Sequence, residues 1–173
     1  MQNQYCIYCN SKDVNEYDKY YHDNVYGFPV VDDNQLFKRL ILEINQAGLS
    51  WLTILKKEKS FDEAFYNFDL QKVANIDEDY RLKLLNNPNI IRNRLKIDAT
   101  IYNAKRIIEI QKEYKSFKNW LDINKDSSIT DWVRLFKKNF KFTGGEIVKE
   151  FLLSTGYLPN SHDILCPIYK KIN

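Results

Sequence analysis

Glycine and proline are scarce in this chain, at 5 and 4 among 173 residues. So few turn-formers leave little room for the closely spaced reversals of an all-β fold. Cysteine is scarcer still. Cys6, Cys9 and Cys166 are the only three, an odd count that argues against a disulfide framework and makes metal ligation the better question. No apolar run approaches the roughly 18 residues that suggest a membrane-spanning helix. The opening stretch MQNQYCIYCNSKD has no basic patch leading into an apolar run, so a secretory signal is not expected and an intracellular address is. Repeats and low-complexity linkers are also missing, and the 173 residues are read as one domain.

What is present suits a packed globule with a solvated surface: 44% hydrophobic, 14% aromatic and 28% charged residues. The net charge of +3 is mild, but it is unevenly spread. Residues 1–50 carry 4 Lys+Arg against 7 Asp+Glu, whereas residues 91–150 carry 14 against 8. Such a bias attracts phosphates, because neutralising them releases condensed counterions. A merely solvated basic face reads the same way.

Helical spacing recurs along the chain. Asp33 is expected to cap a helix with Leu36, Phe37, Leu40, Ile41 and Ile44 inward, and Ser60 to Glu63 matches a capping box. Asp69 and Asp77 are expected to start short helices. Ile90 to Tyr114 reads as one long amphipathic helix with a break near Arg94. Ser116 and Ser128 open two more, with Trp120, Trp132, Val133 and Phe136 inward. The fold class is all-α. One connection stands apart: Phe140-Lys-Phe-Thr-Gly144-Gly145 joins two apolar helical stretches between Lys141 and Lys149. Glycines at such a turn let backbone N–H groups approach an anion at a helix N-terminus. An ordinary helical hairpin would also use them.

Two groups of residues carry chemistry. His162 and Cys166 stand four apart, and the other histidine, His22, follows Cys6 and Cys9. Two Cys with two His make a closed tetrahedral set, the usual structural zinc site, with no open position for a reactive water. Which of Cys6 and Cys9 joins it stays open on spacing alone. The second group is Glu43, which shares a helix with Leu36, Leu40 and Ala47, near Trp51 and the pair Tyr20-Tyr21. A carboxylate on an apolar face needs a partner or a purpose. Beside flat aromatic surfaces it suits a cationic heterocycle.

Tyr21-His-Asp-Asn-Val-Tyr-Gly-Phe-Pro29 resembles the "YHDxEWGxP" signature of the bacterial 3-methyladenine DNA glycosylase I family. Leu42 to Lys57 resembles its "LExxQAGLSWxTxLKK" block, and Pro88 to Ile97 its "IIRxRxKI" segment. Phe140 to Gly144 resembles its "FKFxG" hairpin, and His162 to Cys166 its terminal His-x3-Cys. The five matches run in the family's order and span nearly the whole chain.

The resemblance implies a two-lobed helical glycosylase with a helix-hairpin-helix element at about residues 130–156. Such an enzyme flips 3-methyladenine from double-stranded, alkylated DNA and hydrolyses its N-glycosidic bond, beginning base excision repair. It implies one structural zinc ion joining the termini through Cys6, His22, His162 and Cys166. Tyr21, Trp51 and Glu43 match the residues that contact the base, and Glu43 is the expected catalytic carboxylate. Phe140, Lys141, Thr143, Gly144 and Gly145 match the DNA-gripping hairpin. The family lacks the catalytic aspartate of related glycosylases, because N3-alkylation already weakens the glycosidic bond. The implied protein is a monomer and keeps away from membranes.

Several positions depart from the pattern. Tyr8 and Tyr26 stand where the family has Trp, Ile44 where it favours a small residue, and Asp18 where it has a pocket Tyr, for which Tyr17 or Tyr20 would substitute. Other readings are a related purine lesion, a zinc-stapled damage-binding module without catalysis, and a metallohydrolase, which four protein ligands would deny an open metal position.

Overall fold

Short polar side chains start almost every helix. The computed structural model describes residues 3–172, which form α1 (Gln4–Cys9), α2 (Glu16–Asn24), α3 (Asp33–Gln46), α4 (Trp51–Ala64), a 3₁₀ turn (Tyr66–Phe68), α5 (Leu70–Ala74), α6 (Glu78–Asn86), α7 (Arg94–Tyr114), α8 (Phe117–Ile123), α9 (Ile129–Asn139), α10 (Gly145–Ser154) and α11 (Tyr169–Ile172). No strand occurs among the described residues, so the fold is all-α. Ser50, Asp69, Asp77, Asn93, Ser116 and Ser128 each accept a backbone N–H of the helix they precede. These bonds satisfy donors that the first turn leaves orphaned.

Two expected caps are corrected. Asp32, not Asp33, caps α3 by accepting from Gln35 N. The Asp33 carboxylate instead accepts from Phe117 N at 2.7 Å, Lys118 N at 2.9 Å and Gln111 Nε2 at 2.8 Å, tying the start of α8 to the start of α3. Ser60 is no cap at all. It lies inside α4, which continues to Ala64 because Ile54, Leu55, Phe61 and Ala64 keep one apolar face buried. The break anticipated near Arg94 is the start of α7, capped by Asn93.

The core is a single large cluster built on α3, α7, α9 and α10. Leu36, Phe37, Leu40, Ile41 and Ile44 of α3 are fully buried, as are Ala104, Ile107 and Ile110 of α7. Phe117, Trp120, Trp132, Phe136, Phe140 and Phe151 stack edge-on and face-on with one another. Each such side chain contributes roughly 1.5–3 kcal/mol by leaving water. This aromatic cluster fastens α9 and α10 to the rest. The turn between them is therefore presented on a rigid base.

The chain ends meet. Asn3 donates its backbone N–H to Asp163 Oδ2 at 3.2 Å and its side-chain amide to the Ser161 carbonyl at 2.8 Å. A small apolar cluster of Cys6, Cys166 and Ile168 lies beside this junction.

Candidate functional site

Three arrangements gather the residues singled out in the sequence. The first is the Cys/His set. Cys6, His22, His162 and Cys166 are all buried, and their ligand atoms lie within 4.8 Å of one another. Cys166 Sγ is 3.5 Å from His22 Nε2 and 3.6 Å from His162 Nδ1, and Cys6 Sγ is 3.7 Å from His162 Nδ1. A tetrahedral ion with sulfur at about 2.3 Å and nitrogen at about 2.0–2.1 Å holds such S and N atoms about 3.5–3.6 Å apart. The donor set fits.

The outer nitrogens of the two rings are engaged as well. His22 Nδ1 pairs with Asp23 Oδ1 at 2.7 Å, and His162 Nε2 with the Tyr26 carbonyl at 2.8 Å. Those bonds fix each ring's tautomer and aim the remaining nitrogen inward. The backbone N–H of Asp163 and the Asn10 amide approach Cys6 Sγ and Cys166 Sγ at 3.5 and 3.7 Å. Cys9 stands apart, with its sulfur against the Asp18 carbonyl at 3.7 Å. Gly27 explains the motif that follows His22. Its φ is +79°, and a Cβ there would overlap Ser161 Oγ and crowd His162 Cδ2 at 3.1 Å.

Beside this set opens a cavity of about 560 Å³, whose walls include Tyr5, Tyr21, Tyr26, Glu43, Trp51 and Glu150. Gln46, Lys149 and Leu153 also border it. Tyr21 and Trp51 meet edge to face with centroids 5.0 Å apart, and Tyr21 contacts Tyr26 at 5.9 Å. Arg39 fixes Tyr21, donating to its hydroxyl at 3.2 Å and to the Val25 carbonyl at 2.9 Å. Glu43 is 6% exposed and has no hydrogen-bond or ion-pair partner among the described residues. Burial pushes its carboxyl up to about 8, the Glu150 charge adds to the shift, and Arg39 opposes it. A buried, unpartnered carboxyl on an aromatic cavity wall is costly to the fold. It is poised for a guest that carries positive charge or a hydrogen-bond donor.

The approach to Trp51 is set by a contact invisible in the sequence. Lys96 of α7 donates to the carbonyls of Asn45 and Ala47 at 2.8 and 2.7 Å, closing the end of α3 before Ser50 starts α4. Its ammonium also lies 5.8 Å from the Phe142 ring, which links the cavity wall to the hairpin.

The hairpin is the third arrangement. Phe140 is packed in the aromatic core, and Thr143 is buried with its hydroxyl donating to the Phe140 carbonyl at 3.2 Å. Neither side chain faces outward, whereas Lys141, Gly144 and Gly145 are exposed. Asn103 clamps the turn by accepting from Lys141 N at 2.8 Å and donating to the Lys141 carbonyl at 3.1 Å. Gly144 precedes α10 with no side-chain cap, unlike the residues before α1 to α9. A Cβ at Gly144 would meet nothing within 4 Å. The start of α10 thus offers free backbone donors to solvent.

Several residues of these arrangements escaped sequence reasoning, among them Tyr5, Arg39, Lys96, Asn103 and Glu150. Tyr17 and Tyr20, expected to replace the pocket tyrosine missing at Asp18, are exposed and lie outside the cavity wall. Tyr5 of α1 lines the cavity instead, its hydroxyl 3.2 Å from Asp18 Oδ1.

Comparison with known proteins gives a consistent result. A sequence model of the family described as methyladenine glycosylase matches residues 10–169. The DNA-3-methyladenine glycosylase 1 of Escherichia coli (strain K12) is 34% identical over 168 residues, covering 86% of this chain and 89% of that protein. A solved 3-methyladenine DNA glycosylase I from Staphylococcus aureus superimposes with a TM-score of 0.83 at 33% identity, over 93% of this chain and 94% of the other. A variant of 3-methyladenine DNA glycosylase I in complex with 3-methyladenine gives a TM-score of 0.85 at 32% identity, over 96% and 97% of the two chains.

Proposed function

The chain belongs to the methyladenine glycosylase family, and from that premise we propose that it is a DNA glycosylase that removes 3-methyladenine from alkylated duplex DNA. The observation that carries this reading is the buried, unpartnered Glu43 on an aromatic cavity wall. Methylation at N3 leaves the flipped purine cationic. Tyr21 and Trp51 offer stacking faces, and the Glu43 carboxylate accepts a hydrogen bond from the exocyclic amine while offsetting the charge. Burial by itself favours the neutral acid. A cationic base restores the carboxylate, so binding the lesion displaces a proton from Glu43 to solvent.

Water then replaces the base. The C1′–N9 bond breaks with its electron pair going to the purine, which leaves neutral. Water adds at C1′ and gives up a proton, leaving an abasic site. The leaving group is already activated, so positioning the base and stabilising the sugar cation supply the catalysis, with Glu43 as the catalytic carboxylate.

In this reading one zinc ion is held by Cys6, His22, His162 and Cys166 and joins the chain ends. With four protein ligands, zinc supplies folding energy and no reactive water. Residues 1–173 act as one glycosylase domain and as a monomer. Residues 130–156 form its helix-hairpin-helix element, in which Lys141 and the backbone of Thr143, Gly144 and Gly145 contact phosphate and Phe140 anchors the turn. No helix of the described residues is long and apolar enough to cross a membrane, and work on chromosomal DNA requires an intracellular site.

The test is to incubate the protein with randomly methylated duplex DNA and identify the released bases by chromatography. Free 3-methyladenine is expected as the main product. Duplex binding without any base release would favour a damage-binding module, and release of a different purine would reassign the lesion.

A further inference from the structure

The cavity holds a second acid. Glu150, on α10, shares the wall with Glu43 and is only half-buried. Tyr26 holds it, donating its hydroxyl to Glu150 Oε2 at 3.4 Å. Tyr26 occupies the position where the related signature has tryptophan, whose indole carries no hydroxyl, so this chain has both the acid and the group that aims it. Neither Glu43 nor Glu150 forms an ion pair among the described residues. Lys149 also borders the cavity but is exposed, and Arg39 is occupied with Tyr21 and Val25.

We propose that Glu150 is a second base-selecting carboxylate, held by Tyr26, which makes this cavity discriminate cationic lesion bases from neutral purines of the same shape. The inference rests on the glycosylase reading above. Two acids around one aromatic cavity repel each other and lose solvation, a cost that a neutral guest leaves in place. A cationic guest offsets it. Both carboxyls are pushed upward by burial; the Glu150 charge adds to the shift at Glu43, while Glu146 adds to the shift at Glu150 and Lys149 and the Tyr26 hydroxyl oppose it. The cavity therefore favours positive charge beyond what Glu43 supplies alone, and the favour comes from α10, the helix that follows the DNA-facing hairpin.

The test compares charge at constant shape. Single-turnover release of 3-methyladenine from methylated duplex DNA is measured beside binding to a duplex containing 3-deaza-3-methyladenine. In that isostere carbon replaces the alkylated nitrogen, and the base is neutral. Glu150→Gln is expected to slow excision on the order of tenfold while changing affinity for the neutral isostere less than about twofold. Glu150→Asp, which keeps the charge, is expected to recover most of the excision rate. Equal losses on the two duplexes would reduce Glu150 to a shaping residue and overturn the proposal, as would wild-type excision by Glu150→Gln. Should Glu150→Gln not fold, Tyr26→Phe carries the test. It removes only the hydroxyl that holds Glu150, and excision must fall while isostere binding stays. A wild-type protein that releases no 3-methyladenine would instead remove the underlying function, a result distinct from either.

Discussion

Gly27 and Gly144 both sit in motifs, and the structure demands only one of them. At Gly27 the backbone is left-handed, and a methyl group would collide with Ser161 and His162. At Gly144 the backbone is extended, and a methyl group would touch nothing within 4 Å. The first glycine is explained from inside the molecule. The second meets no such steric demand inside the molecule and leaves the start of α10 open to an approach from outside. The same division separates the Cys/His set, where every ring nitrogen and sulfur has a polar neighbour, from the cavity, where Glu43 has no hydrogen-bond or ion-pair partner among the described residues. One region is complete for folding and the other is left incomplete for a guest.

The largest effect should come from breaking the complete region. Cys166→Ser is expected to abolish metal retention and to cost about 4 kcal/mol or more, the scale of a lost structural metal. At this chain length that lowers the melting temperature by roughly 8–16 °C. Cys9→Ser, outside the set, should leave the metal content unchanged. Metal analysis of the purified, untagged protein and its variants checks both. Zinc absent from the wild-type protein would dismiss the assignment of all four ligands.

Next comes Gly27→Ala. Strained backbone plus the collision with Ser161 should cost about 3 kcal/mol, read as a lower denaturation midpoint with weakened metal retention. Gly144→Val should invert that pattern. Stability is expected to fall by less than about 1 kcal/mol, while duplex affinity falls about tenfold, roughly one charge-assisted phosphate contact. The loss should be independent of sequence and shrink as salt rises. Unchanged affinity in a folded Gly144→Val protein would take the hairpin out of DNA binding.

Local chemistry made much of this legible. Asp69, Asp77, Ser116 and Ser128 read as helix starts because a cap is decided by the residue and its next turn. Ser60 misled because a capping box says nothing of the apolar face that carries α4 through it. Asp33 misled because its carboxylate serves Phe117, 84 positions away. The cavity was half legible. Glu43 betrayed itself by sharing a helix face with Leu36 and Leu40, whereas Glu150 beside Lys149 reads as an ordinary solvated pair. Tyr5 gave no signal, because only the meeting of α1 with α2 brings it to the wall. Long-range juxtapositions of this kind leave no periodicity to read.

The cavity also leaves a mark on stability. The carboxyl of Glu43 titrates near 4.5 when exposed and is pushed up to about 8 in the fold. The fold therefore favours its neutral form, so Glu43 stabilises below the lower value relative to its ionised state, and that stability is lost as pH rises toward 8. Glu43→Gln is expected to match the wild type near pH 4 and to exceed its melting temperature at pH 8. Parallel melting curves with no such divergence would mean that Glu43 is solvated.

The same variant tests the central claim most directly. Single-turnover release of 3-methyladenine by Glu43→Gln is measured beside its affinity for undamaged duplex, with folding checked by circular dichroism. The account predicts excision lowered by on the order of a hundredfold, as when one preorganised electrostatic group is removed, with undamaged duplex bound as by the wild type. Excision at the wild-type rate would make Glu43 a structural carboxyl and contradict the proposed reading of the lesion's charge.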